Sequence, residues 1–245
     1  MRFSIVIPVR DEGPNLAPLV DELIAVLGAG DGPAGAWEAV FVDDGSGDDS
    51  AAVLARLAGR FAFLRLLRHP RGLGKSAALR TAALVAAAPW IVTMDGDRQN
   101  DPRDIVRLLD RASEGDRPAL VSGIRRKRRA SLARRLASRF ANALRRWLLA
   151  DDCPDTACGL KLIRRDVFLA LPFFDSLHRF LPALVRLHGH PVANLLVEDR
   201  QRTAGRSKYS NWRRGLVGVV DLLGVVWLAR RTTLPAPGRI GGDSA

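Results

Sequence analysis

Two cysteines among 245 residues are too few for a disulfide framework, and Cys153 and Cys158 have no further ligands at the spacing of a structural zinc site. A reducing compartment is expected. The amino terminus lacks the apolar core of a secretory signal, since Phe3 to Pro8 reads as a strand, and a cytoplasmic location follows as an expectation. A membrane span is also missing: the apolar stretch 215–229, GLVGVVDLLGVVWLA, falls short of the roughly twenty residues that cross a bilayer as a helix. Gly74-Lys75-Ser76 matches the end of a nucleotide-binding P-loop, but His69 stands where the motif needs its first glycine, and no loop long enough to encircle a phosphate precedes. A capped helix starting near Lys75 is expected instead.

What is present is an unevenly charged, core-forming chain. A hydrophobic content of 47% is enough to bury a substantial core. The net charge of +12 favours a polyanionic partner such as nucleic acid, anionic lipid or a phosphorylated substrate. Residues 1–120 hold 14 basic and 17 acidic residues, a net of −3, whereas 121–245 hold 24 and 9, a net of +15. The two halves therefore have different electrostatic tasks.

In the first half, short β-branched runs alternate with helical patterns. FSIVIP, WEAVFVDD, FLRLLR, WIVTMDGD and PALVSG read as strands, with helices from about Asn15, from Ala51 to Arg60, from Lys75 and from about Pro102. That alternation predicts βαβ units and an α/β fold with a largely parallel sheet, whose ligands sit beyond the carboxyl ends of the strands. Three of those ends carry acids or turn formers: Arg10-Asp11-Glu12, Asp43-Asp44-Gly45-Ser46 and Asp95-Gly96-Asp97. Each alone would pass as a turn. Together on one edge they repel unless a cation or hydrogen-bond donors neutralise them. Asp95 and Asp97, two apart in an extended segment, point to the same side, and Gly96 lets a ligand approach. Such hard oxygen ligands suit Mg²⁺ or Mn²⁺ and a phosphate-bearing substrate. Gln99 is either one more oxygen donor or a loop residue.

The segments IVIPVRDEGPNL, AVFVDDGSGDDS, RGLGKSAALRTA, TMDGDRQNDP, VSGIRRKRR, DTACGLKLIRRDVF and RTAGRSKYS together resemble the family 2 glycosyltransferases. Within these they resemble the dolichol- or polyprenyl-phosphate sugar transferases, over roughly residues 3–230 in the same order. The resemblance implies a GT-A type nucleotide-diphospho-sugar transferase fold over 1–210, an amphipathic membrane-interface helix over 211–231 and a flexible tail over 232–245. It implies that Pro8, Glu12 and Asp43 contact the nucleotide and that Lys75 belongs to the donor site. It further implies that Asp95, Asp97 and Gln99 hold the metal, with Asp97 in the catalytic group. Two departures stand out: Asp11 where the family usually has Asn, and Arg98 in place of a common apolar residue.

Residues 125–146 hold ten basic residues and no acid, with Leu132, Leu136, Phe140 and Leu144 four apart. Such a helix can lie on an anionic surface, dock on the core or track nucleic acid. With the resemblance, Arg125 and Arg134 become the pair that clamps donor or acceptor phosphate, and Ser138 an added donor. Asp155 stands near the acceptor phosphate as orienter or base, its plain alternative being a turn or cap. Arg202, Ser207 and Lys208 fall in a loop that closes over the diphosphate in relatives. Trp212, Trp227 and flanking arginines make 215–229 resemble a helix lying in the membrane surface. The expected reaction is inverting sugar transfer from a UDP- or GDP-sugar to a polyprenyl phosphate. Peripheral association with the cytoplasmic face of an anionic membrane is expected, alone or through a separate integral membrane protein, and no nucleic acid. Two alternatives remain: a family 2 transferase with a saccharide or other soluble acceptor, and a basic nucleic-acid-binding protein, which would leave the acidic edge idle.

Overall fold

The structure, a computed structural model, describes residues 2–29, 36–126, 145, 148–149, 151–201 and 211–233, with side chains from 217 onward in the last segment. Seven strands form one sheet: β1 (Phe3–Val9), β2 (Trp37–Asp43), β3 (Leu64–Arg68), β4 (Trp90–Thr93), β5 (Leu120–Arg125), β6 (Lys161–Arg164) and β7 (Val192–Val197). Their order is β3-β2-β1-β4-β6-β5-β7. β1 pairs in parallel with both β2 and β4, β2 with β3, and β5 with β7, whereas β6 runs antiparallel between β4 and β5. The expected parallel α/β sheet is thus observed, with one reversed strand.

Helices cover both faces. α1 (Gly13–Leu27), α2 (Ser50–Arg60) and α4 (Arg103–Ser113) lie on one face, and α3 (Lys75–Val85), α5 (Arg165–Ala170), α6 (Leu181–Leu187) and α7 (Asn211–Arg231) on the other. Period two in β1 decides this division: Phe3, Ile5, Ile7 and Val9 enter the first core, and Val6 the second. α1 answers with Leu16, Leu19, Val20, Leu23 and Leu27, the i, i+3, i+4 spacing of a buried stripe. Its start at Gly13 lies two residues before the expected Asn15.

Chain direction changes sides at β1: the chain winds outward through β2 and β3, then crosses to β4 on the other flank. That switch point opens a crevice beyond the carboxyl ends of β1 and β4, the usual ligand place in an open α/β sheet. Two expectations are corrected here. β4 ends at Thr93 and Asp95-Gly96-Asp97 lies in a turn, so the same-side argument for an extended segment does not apply. Arg125 is the last residue of β5 and not the start of a basic helix.

α7 runs longer than the predicted apolar stretch, yet no helix of the described residues is long and apolar enough to cross a membrane. Its Val225 is buried in the second core, with Leu222 and Leu228 packed against that core. The opposite stripe, Val219, Val220, Leu223 and Trp227, is more than half exposed at every position, and Arg231 sits 5.9 Å over the Trp227 ring.

Gly45 sits at φ +69°, and a Cβ there would lie 2.6 Å from the backbone carbon of Arg71. Because backbone cannot swing aside as a side chain can, Gly45→Ala is expected to destabilise the fold by about 3 kcal/mol. Thermal unfolding should show a melting temperature lower by about 6–12 °C; an unchanged value would mean the two turns are not locked together.

Candidate active site at the carboxyl edge of the sheet

The loops after β1 and β2 close on each other through side-chain-to-backbone bonds. Asp11 accepts from the Gly47 amide at 2.6 Å, while its own amide donates to Ser46 Oγ at 2.9 Å. The Glu12 amide donates to Ser50 Oγ at 2.9 Å, and Glu12 Oε2 accepts from Asn15 Nδ2 at 2.6 Å. Asp11 has φ +53°, a left-handed conformation that Asn and Asp tolerate best. Asp in place of Asn is therefore a conservative departure. Asp43 is fully buried, with Oδ1 accepting the Ser46 amide at 3.0 Å and Oδ2 3.1 Å from Arg68 Nε. Oδ2 nonetheless has no partner at hydrogen-bonding geometry. Pro8, half-buried near the end of β1, has its carbonyl beside Gly96, 3.5 Å from where a Cβ would stand.

Asp44 explains the false P-loop. Its carboxylate accepts from the Leu73 amide at 2.7 Å, the Gly74 amide at 2.8 Å and His69 Nδ1 at 2.8 Å. The glycine loop thus already holds an anion, the protein's own. His69, at the position of the missing motif glycine, also reaches Thr81 Oγ1 at 3.0 Å through Nε2. Gly74, at φ +94°, then releases the chain into α3.

From the first turn of α3, Lys75 reaches across to donate to Asp95. Burial alone would push the Asp95 carboxyl up, but Lys75, with Lys161 and Arg125, outweighs it and holds Asp95 below the usual carboxylate range. Gly159 lies under this carboxylate, where a Cβ would meet Asp95 Oδ2 at 2.3 Å. Asp97 accepts the Gln99 amide at 3.1 Å. Gln99 Nε2 donates to the Arg200 carbonyl at 3.3 Å, so its amide is engaged with backbone here. Among the described residues no group of three or more His, Cys, Asp or Glu could enclose an ion. Asp95 and Asp97 as carboxylate oxygen donors fit an open divalent site completed by phosphate oxygens and water, as Mg²⁺ and Mn²⁺ characteristically use.

At the end of β5, Arg125 grips Asp155 with two parallel bonds, Nε to Oδ2 at 2.8 Å and Nη2 to Oδ1 at 2.9 Å. The Arg125 amide adds a third at 3.2 Å. Burial would raise the Asp155 carboxyl, yet the bonds and charge of Arg125 lower it on balance; the same pairing drives the guanidinium pKa upward. Two predicted site residues far apart in sequence are brought together as one ion pair. The turn that carries Asp155 is held from below by Lys161, which is buried and donates to the Thr156 carbonyl at 3.1 Å and to the Cys158 carbonyl. Burial pushes the Lys161 ammonium and the Cys158 thiol toward their neutral forms. Arg145 is buried as well, donating to Thr156 Oγ1 and the Cys153 carbonyl. At least this member of the basic stretch faces inward. Both cysteines are buried and free, in keeping with packing roles.

Arg134, Ser138, Arg202 and Lys208 lie outside the described residues. In the sequence, Asp44 stands out only as part of a turn and His69 only as the residue that breaks the P-loop match, and Lys161 does not stand out at all. The signals were faint: a second acid beside Asp43, a histidine in a glycine position and one lysine inside the apolar strand LKLI.

The protein-family model described as Glycosyl transferase family 2 matches residues 4–171. The chain is 29% identical over 238 residues to dodecaprenyl-phosphate galacturonate synthase of Rhizobium johnstonii, covering 96% of this chain and 69% of that protein. It is 31% identical over 210 residues to undecaprenyl-phosphate 4-deoxy-4-formamido-L-arabinose transferase of Pectobacterium carotovorum, covering 84% of this chain and 62% of that protein. The chain thus spans about two thirds of the length of these relatives. Among solved structures, glucosyl-3-phosphoglycerate synthase from Mycobacterium tuberculosis, in complex with Mn²⁺, UDP and phosphoglyceric acid, superposes with a TM-score of 0.66 at 20% identity. The match covers 97% of this chain and 80% of that one. The fold is of the GT-A type seen in such transferases.

Asp101 gives the site a pH signature. Burial would raise its carboxyl, but hydrogen bonds from Arg103 and Arg200 lower it from 3.8 to about 2. A depressed folded-state pKa stabilises the protein above the unfolded value, and that stabilisation is lost as pH falls through about 2. In urea unfolding, the stability gap between wild type and Asp101→Asn should shrink by about 2 kcal/mol between pH 6 and pH 2. A gap independent of pH would contradict the pairing.

Proposed function

The chain belongs to glycosyl transferase family 2, and from that membership we propose that it moves a sugar from a nucleotide-diphosphate donor to a polyprenyl phosphate. The observation that carries this reading is the presence of two cation–carboxylate pairs on one sheet edge, Lys75 with Asp95 and Arg125 with Asp155. They suit a reaction that assembles two phosphate-bearing substrates. The two relatives are named for prenyl-phosphate acceptors, which supports the choice of acceptor.

In this reading the nucleotide lies across the β1 and β2 turns near Pro8, Glu12 and Asp43. Asp95 and Asp97 hold Mg²⁺ or Mn²⁺, with Gln99 beside them. The ion, when bound, supplies Lewis-acid neutralisation of the charge that builds on the leaving diphosphate. Lys75 places a second positive charge at the same spot. An acceptor phosphate oxygen attacks the anomeric carbon, the bond from that carbon to the β-phosphate oxygen breaks, and the nucleoside diphosphate leaves with the electron pair. Configuration inverts. A phosphate monoester with a second pKa of about 6 is already largely dianionic near neutrality, so no proton need be removed. Asp155, depressed in pKa by its arginine, is a weak base and a good orienter. It holds the Arg125 fork toward acceptor phosphate, where a planar guanidinium makes paired bonds. Positioning and charge neutralisation supply the rate.

The exposed stripe of α7 favours a lipid acceptor over a soluble one. Val219, Val220, Leu223 and Trp227 with Arg230 and Arg231 form an apolar face with a basic end, suited to an anionic bilayer surface from the cytoplasmic side. A soluble acceptor such as the phosphoglyceric acid of the M. tuberculosis structure gives that face no task.

Transfer of radiolabel from UDP- and GDP-sugars into organic-extractable lipid is expected with polyprenyl phosphate and Mg²⁺ or Mn²⁺, and a fall of at least about a hundredfold in Asp97→Ala. Label appearing only in water-soluble acceptors would replace the lipid reading. Separately, changing Val220, Leu223 and Trp227 together to Ser should weaken sedimentation with anionic vesicles about tenfold or more. Undiminished sedimentation would assign membrane contact elsewhere.

A further inference from the structure

Arg98 is the one residue of the metal-carboxylate turn that departs from the resemblance and is also conformationally costly. It sits at φ +62°, a left-handed conformation in which a long side chain is uncommon. Its guanidinium does not extend into solvent. It turns back to α1, where Nε meets Glu22 Oε1 at 3.1 Å and Nη2 lies on the same oxygen. The other oxygen of Glu22 accepts from Arg200 Nη1 at 2.7 Å. Arg200 continues the chain of charges, Nη2 lying 2.8 Å from Asp101 Oδ2. Asp101 in turn is gripped by Arg103 and accepts its amide at 2.9 Å.

This ladder of three arginines and two acids ties together four segments remote in sequence: α1, the 95–99 turn, the start of α4 and the exit from β7. Backbone bonds run along it. The Arg200 amide donates to the Gln99 carbonyl at 2.9 Å, Gln99 Nε2 returns to the Arg200 carbonyl at 3.3 Å, and Asn100 forms an isolated antiparallel bridge with Asp199. Asn100 Oδ1 accepts the Asp95 amide at 3.1 Å. The Asp95 amide, the Arg98 side chain and both the carbonyl and the side chain of Gln99 are thus held by this ladder or by the bridge beside it. Glu22 and Asp101 have 25% and 3% of their side chains exposed, so the ladder is partly shielded, and solvent screens it less than a surface pair.

We infer that Glu22, Arg98 and Arg200 are positioning residues for the divalent ion and the donor diphosphate. The ladder holds Arg98 in its left-handed conformation, and with it the 95–99 turn that carries both carboxylates, before any substrate arrives. A turn held in advance spares the ordering cost at the moment of binding. Its loss should then appear in the affinity for the ion and not in the chemical step. Glu22 is the centre because it alone takes both Arg98 and Arg200. The inference rests on the metal role proposed for Asp95 and Asp97, and extends it to residues on α1 and after β7.

The test is titration of the full chain with Mn²⁺ in the presence of UDP or GDP, reading free Mn²⁺ by electron paramagnetic resonance, for wild type, Glu22→Gln, Arg98→Ala and Arg98→Lys. Thermal unfolding without metal serves as the folding control. Glu22→Gln and Arg98→Ala should raise the apparent Mn²⁺ dissociation constant about tenfold, and Arg98→Lys, which keeps the charge toward Glu22, should restore most of it. Transfer at saturating Mn²⁺ should return to within about twofold of wild type, because the reacting groups are untouched. Unchanged Mn²⁺ affinity in folded Glu22→Gln and Arg98→Ala, with wild type binding normally, overturns the positioning role and leaves the metal reading standing. Wild type that binds no Mn²⁺ overturns both.

Discussion

Acidic side chains crowded at the carboxyl edge of a parallel sheet must each be met by a positive group or a hydrogen-bond donor, and the rest of the molecule is arranged around that requirement. Lys75 meets Asp95, Arg125 meets Asp155, Arg68 and the Ser46 amide meet Asp43, and His69 with two backbone amides meets Asp44. Arg103 and Arg200 meet Asp101. Some of these partners are local in the chain, as Arg103 is to Asp101, but others come from afar: Lys75 arrives by way of β3 to meet Asp95, and Asp155 from beyond β5 to meet Arg125. Carboxylates gathered this closely repel strongly in a poorly solvated crevice. The fold is therefore a device for delivering cations to acids as much as for burying apolar surface.

That balance has a functional consequence. Asp95 and Asp155, held below the usual carboxylate range and already paired with Lys75 and Arg125, suit the proposed diphosphate and divalent ion, because neither charge has to be created by a proton transfer. The depressed carboxyl of Asp155 and the raised guanidinium of Arg125 keep both charges fixed across the physiological range. On the other face of the sheet, α7 spends one stripe on the core and leaves the opposite stripe apolar and exposed.

Much of the fold was legible because period two and period 3.6 are local signals. Strands β1 to β5 and helices α1 to α4 lie where the pattern predicts them, with shifts of up to four residues at their ends, the largest at the end of β4. The reversed strand β6 was not legible, since LKLI carries no mark of direction. The carboxyl-edge location of Asp43, Asp95 and Asp97 followed from strand order, but their partners did not: the ladder from Glu22 through Arg98 and Arg200 to Asp101 joins positions as much as 178 residues apart, and no sequence period records a contact of that span. The turn at Asp95 was misjudged as extended because β4 stops at Thr93, where Thr93 Oγ1 bonds the Gly159 carbonyl at 2.6 Å and the chain leaves the sheet. The glycine loop misled for a physical reason as well: the same backbone amides that hold phosphate in a P-loop hold Asp44 here.

The most direct test of this account is a crystal of the protein grown with Mn²⁺ and a nucleoside diphosphate, with an anomalous difference map recorded at the manganese edge. The account predicts one strong peak within coordination distance of Asp95 and Asp97 carboxylate oxygens and of the diphosphate. A nucleotide bound across the β1 and β2 turns with no peak there, or a peak remote from both carboxylates, would contradict it.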